Sequence, residues 1–137
     1  MNTINFWPIL VASIVGFGVT AFWYSPFLFG KEWMELVKLN HADMESAKEK
    51  GIWKSYIVHF ISTLITFGVL AFAISSISPS NASDGAFIGF IAWLGFIATF
   101  GVSDFLWRKT PFKLVLIDSI NILVILAIGG AIIGAWK

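Results

Sequence analysis

Cysteine is absent from the 137-residue chain, which rules out a disulfide framework, a thiolate metal site, a cysteine nucleophile and an iron–sulfur cluster. Charge is scarce as well. Only 12% of residues are Asp, Glu, Lys or Arg, about half of ordinary usage. The net charge of +1 gives no electrostatic footprint for a nucleic acid or an acidic polymer. Two histidines, with no carboxylate at ligand spacing, make no metal site, and no cofactor motif is present. What is abundant is apolar: 58% of the residues are hydrophobic and the mean hydropathy is +0.84. That composition belongs to a bilayer protein rather than a water-soluble domain.

A helix rising 1.5 Å per residue needs roughly 20 apolar residues to cross a hydrocarbon layer about 30 Å thick. Four such stretches occur, at about residues 6–24, 56–77, 85–107 and 112–136. The expected fold class is all-α: a polytopic membrane protein, one four-helix domain over residues 1–137, with an interfacial amphipathic helix between spans one and two. The first stretch is not expected to be a cleaved signal peptide. No Lys or Arg lies in Met1–Asn5, and Trp23-Tyr24-Ser25-Pro26 is no small-residue cleavage site.

Basic residues give a direction. Lys31, Lys38, Lys48, Lys50 and Lys54 fall between spans one and two, and Arg108, Lys109 and Lys113 between spans three and four, against Lys137 alone on the other side. The positive-inside rule then places loops 25–55 and 108–113 in the cytoplasm and both termini outside. A bacterial or archaeal cell membrane is the expected setting. Trp23, Tyr24, Trp53, Tyr56 and Trp107 mark the inner boundary, Trp7 and Trp136 the outer one. Trp93 falls mid-span and is expected to pack on lipid or a neighbouring helix. The outer turn Ser78–Gly85 is short and rich in turn formers, so spans two and three should be antiparallel neighbours. Its Asn81-Ala82-Ser83 matches a glycosylation pattern by chance so close to the bilayer.

In the inner loop, Pro26 should stop or bend span one. Phe29, Trp33, Leu36 and Val37 recur at helical spacing while Lys31, Glu32, Glu35 and Lys38 point elsewhere, the pattern of a short helix in the interface plane. Asn40 with Asp43 resembles a capping box, Glu45 and Lys48 form a spaced charge pair, and Gly51 supplies a stop. The run Trp23-Tyr24-Ser25-Pro26-Phe27-Leu28-Phe29-Gly30-Lys31-Glu32-Trp33 resembles the signature of the family known as domain of unknown function 1761. Lys113–Asp118, leading to Gly130-Ala131-Ile132 and Trp136, is similar to that family's last helix. The resemblance implies a small integral membrane protein of four helices and no particular activity.

An ionisable side chain in hydrocarbon costs about 2.5 to 3.5 kcal/mol at mid-span, so each one should face protein or water. His59, Asp104 and Asp118 are the three within the spans, and the inferred directions place them at similar depth in the inner leaflet. His59, Ser62, Thr63 and Thr66 form one helical stripe, and Asp118 with Asn121 an i, i+3 pair. Thr20 and Tyr24 bring span one to the same level, with Asp118 roughly 7.5 Å beyond Lys113 by helical rise. These residues outline a polar pocket opening to the cytoplasm. Each also has a structural reading: an ion pair with Arg108 for Asp104, a hydrogen-bonded interfacial imidazole for His59, helix packing for Asp118.

Small residues recur at every fourth position in Ala12, Gly16 and Thr20, in Gly85 and Gly89, and in Ala127, Ala131 and Ala135 beside Gly130 and Gly134. Such ridges serve either packing within one bundle or a seam between subunits. No nucleophile elbow, phosphate loop or HExxH occurs, so an enzyme is not expected. Two functions follow from the residues: a transporter or channel-like protein handling a proton, cation or small polar solute at Asp118, or an accessory membrane protein acting through helix packing. The expected partners are the lipid bilayer and a second copy or another membrane protein, with no nucleic acid.

Overall fold

Asparagine caps decide where several helices begin. The computed structural model describes residues 4–77 and 81–136. Within these residues the order is α1 (Phe6–Trp23), α2 (Gly30–Leu36), α3 (His41–Glu49), α4 (Trp53–Ile77), α5 (Ala82–Ala92), a π-helical segment (Trp93–Ala98), α6 (Thr99–Trp107) and α7 (Phe112–Ala135). Asn5 accepts from the Trp7 amide at 3.1 Å. Asn40 accepts from the Asp43 amide at 2.8 Å while Asp43 accepts from the Asn40 amide at 3.0 Å, which completes the capping box read from the sequence. Gly51 follows α3 with φ of 91°, a left-handed position that glycine adopts without steric cost.

Among the described residues, four helical spans are long and apolar enough to cross a bilayer: Phe6–Trp23, Trp53–Ile77, Ala82–Trp107 and Phe112–Ala135. The chain is a polytopic all-α membrane protein. Its boundaries differ from the hydropathy reading by a few residues, for local reasons. The second span starts at Trp53 rather than Tyr56, directly after the Gly51 turn. The third starts at Ala82 rather than Gly85, because Asn81 accepts from the Asp84 amide at 2.8 Å and so caps α5. Of the outer turn, residues 78–80 lie outside the described residues. The third span is also not one uninterrupted α-helix. Its π segment widens the turn between α5 and α6.

Phe67 occupies the centre of the bundle with no exposed surface, among Ile9, Ala12, Leu70, Ile74, Leu126 and Ile133. It fits because Gly16 and Gly129 leave room for its ring. A Cβ at Gly16 would already lie 3.1 Å from Phe67 Cε2. The closest helix pair is α5 against α7, where Gly85 faces Gly130 and Gly134, and Gly89 faces Leu126. Residue numbers run in opposite senses along this contact, so the two helices are antiparallel. A Cβ at Gly134 would come within 2.6 Å of the Asn81 carbonyl oxygen, so glycine is needed for this approach. These glycine ridges therefore serve packing within one chain. Ile65, Val69, Phe72, Phe87, Phe96 and Phe100 face outward and exposed. So continuous an apolar girdle matches hydrocarbon and not water.

Candidate functional site

Span one ends in a segment whose side chains reach across to α7. Trp23 donates its indole N–H to the Ile117 carbonyl at 3.0 Å, and the Tyr24 hydroxyl donates to Asp118 Oδ1 at 2.6 Å. The Ser25 hydroxyl turns back onto the Phe22 carbonyl at 2.6 Å. The Leu28 and Gly30 amides donate to the Ser25 carbonyl at 3.1 and 3.0 Å, folding the chain back on itself after Pro26. Gly30 is then buried against the Tyr24 and Ser25 backbone, where a Cβ would lie 2.8 Å from the Ser25 carbonyl carbon. The ordered Trp23–Gly30 motif is thus a device for docking α1 on α7 and starting α2 beside the junction. Trp33 of α2 packs edge-on against Tyr24 with ring centroids 5.6 Å apart. Lys113 meets Glu32 at 2.9 Å, a half-exposed pair that positions α2 more than it stabilises it.

Under this turn lies a cleft of about 760 Å³. Asp118, Asn121, Thr20, Tyr24 and His59 supply its polar lining. Phe17, Trp33, Tyr56, Met34, Met44 and Ile122 supply most of the apolar remainder. Helices α1, α4 and α7 provide the bundle walls, while α2 and α3 contribute residues from the loop. Asn121 is only 4% exposed. Its Nδ2 donates to Thr20 Oγ1 at 3.3 Å, and its Oδ1 is buried without a hydrogen-bond partner. A buried acceptor left without a partner costs about 1–3 kcal/mol. Among the described residues, Asp118 is the one Asp, Glu, Lys or Arg in the cleft lining.

Asp118 also lines a smaller cavity of about 200 Å³ between the third span and α7, shared with Asp104, Phe96, Phe100, Thr110 and Ser119. The π segment forms part of its wall. Trp93, at the head of that segment, donates its indole N–H to the Ser119 carbonyl at 2.8 Å. This explains an indole at mid-span: it ties the third span to α7 one residue from Asp118. Asp104 does not reach the larger cleft. It pairs with Arg108 at 3.6 Å one turn along, as the spacing predicts.

The hydroxyl stripe on α4 is not drawn into the cleft. Ser62, Thr63 and Thr66 donate to the Val58, His59 and Ser62 carbonyls at 2.9, 2.9 and 3.0 Å. Ser62 and Thr66 are exposed on the outer face, whereas Thr63 is buried. Hydroxyls satisfied by the preceding turn need no polar surroundings. His59 lies against Phe17 with ring centroids 5.7 Å apart and is exposed at the cleft edge. Sequence reasoning therefore placed Tyr24, His59, Asp118 and Asn121 around one space and missed Trp33, Met34 and Met44. Gly30 was the available signal for them, since a glycine there lets α2 turn back over the bundle.

No curated protein and no solved structure matches the chain. One family profile does, over residues 7–134, from the first turn of α1 to the last turn of α7. Its match takes in the docking turn, the cleft and the glycine contact between α5 and α7 alike. The chain belongs to the family described as Protein of unknown function (DUF1761).

Proposed function

We propose that this membrane protein is transporter-like or channel-like and takes a proton, a cation or a small polar solute at Asp118. One observation carries the reading: the acid inside the last span lines an open cleft instead of being sealed in the packed bundle. Intramembrane acids that meet a cavity mark substrate and ion paths. The unpartnered Asn121 oxygen, one helical turn beyond Asp118, supports the same reading, because an incoming donor would relieve it. The excess of basic residues in loops 25–55 and 108–113 supports a cytoplasmic side for both loops, and in that orientation the cleft opens from the cytoplasm. Four helices enclose little interior, so a second copy completes the path across the bilayer.

A structural role has one specific observation in its favour. The Tyr24–Asp118 bond and the Trp23–Ile117 bond together fasten α1 to α7. Proteoliposomes separate the two. In proteoliposomes loaded with the pH dye pyranine, or supplied with rubidium, the parent protein is expected to pass protons or rubidium, and Asp118→Asn is expected to abolish that flux while elution volume and yield stay unchanged. Equal flux through parent and variant rejects the transport reading. Under the structural reading, Trp33→Ala with Leu36→Ala changes the complexes seen on native gels and Asp118→Asn does not.

A further inference from the structure

Solute handling at Asp118 leaves the chemistry of the solute open, and the cleft lining narrows it. Among the described lining residues Asp118 is the sole acidic or basic side chain apart from His59, so the formal charge they present is negative. Around it the surface is aromatic rather than polar. Phe17 and Tyr56 meet edge-on with centroids 6.2 Å apart, and Tyr24 and Trp33 do the same at 5.6 Å. Aromatic faces attract a cation held against them, and the attraction grows where water is excluded. A carboxyl group with such walls suits a cation whose charge sits on an apolar body. At about 760 Å³ the cleft has the volume of an organic-ligand site and far exceeds what a single ion needs. Asn121, one helical turn along α7 from Asp118, lines the same cleft and carries a buried oxygen without a partner, which favours a cation that carries N–H donors.

From these observations, and resting on the reading of Asp118 as a solute site, we infer that the cleft binds a protonated amine borne on an apolar or aromatic body. The ammonium group pairs with Asp118 and donates towards Asn121. The body lies among Phe17, Trp33 and Tyr56. Such an amine comes either from a free solute or from the headgroup of an aminophospholipid.

The test is calorimetric titration of the full chain in maltoside micelles at neutral pH. The probes are benzylammonium, the near-isosteric but uncharged benzyl alcohol, and rubidium. Benzylammonium is expected to bind, with benzyl alcohol weaker by roughly tenfold or more, and Asp118→Asn should weaken benzylammonium by a similar factor. Trp33→Ala should weaken it roughly fivefold, and Asp118→Glu, which keeps the charge, should retain most of the binding. Monodisperse elution of each variant shows that the fold is intact. If benzyl alcohol binds as tightly as benzylammonium, the inference is overturned. Asp118-dependent rubidium binding or proton flux without benzylammonium binding overturns the amine and leaves the solute site standing. No Asp118-dependent binding or flux of any probe removes both. Adding phosphatidylethanolamine or phosphatidylglycerol to the micelles then separates the sources: displacement of benzylammonium by the first alone identifies a lipid headgroup, and displacement by neither identifies a free amine.

Discussion

Tyr24 and Asp118 are separated by 94 positions in the chain and joined by a hydrogen bond of 2.6 Å. Hydrogen bonds to a charged group are worth about 1.5–3 kcal/mol, so Tyr24→Phe should lower stability by about that amount. A melting curve in maltoside reads it, and an unchanged melting temperature would show that the bond carries no load. Solute binding should survive this change because the Asp118 carboxyl group remains. At this scale the sequence was informative where polarity alone settles the matter. An Asp and an Asn in an apolar span demand partners, and both have a place in the cleft. It misled where a hydroxyl can satisfy itself. Ser62, Thr63 and Thr66 share a helical stripe with His59, but each bonds to a carbonyl of its own helix. Periodicity records which face a residue occupies and not whether its polar atom needs that face.

Among the elements, the pairing of α5 with α7 depends on backbones meeting at Gly85, Gly130 and Gly134. Gly85→Leu would drive a side chain into the Gly130 carbonyl, so the helices must separate. The expected loss is on the order of 3 kcal/mol, seen as early unfolding or poor recovery from the membrane. A variant as stable as the parent would show that the contact is dispensable. Spans, the stop after Trp23 and the α3 capping box were legible because each depends on neighbours a few residues away. The π segment was not. Its local sequence Trp93–Ala98 is ordinary apolar helix, and what accompanies it is a bond from Trp93 to Ser119, 26 positions distant. The Gly85 and Gly89 spacing signalled a close contact without saying which helix answers it, and Gly129, which admits Phe67, stood outside the recognised ridges.

For the molecule as a whole, four spans make an apolar bundle in hydrocarbon, and one end of it is left open beneath α2 and α3. Charge asymmetry in the loops predicts His59, Asp104 and Asp118 at one level. The structure keeps them at the end that bears α2 and α3, with Asp118 common to both cavities. What no pattern in the chain revealed is that the loop folds inward, so that Trp33, Met34 and Met44 line the same space as Asp118. That depends on the return of the chain at Ser25–Gly30 and on contacts with α7. For solute handling at this site, Asp118 must meet water rather than packed side chains.

The absence of cysteine makes that claim directly measurable. Asp118→Cys, Lys48→Cys and Ser13→Cys each introduce a single thiol, the last at a site with no exposed surface. Each is exposed to a water-soluble methanethiosulfonate ethylammonium reagent in membranes and followed by mass. The account predicts that Asp118→Cys reacts far faster than Ser13→Cys and approaches the loop control Lys48→Cys. A thiol at position 118 as inert as the one at position 13 would contradict it.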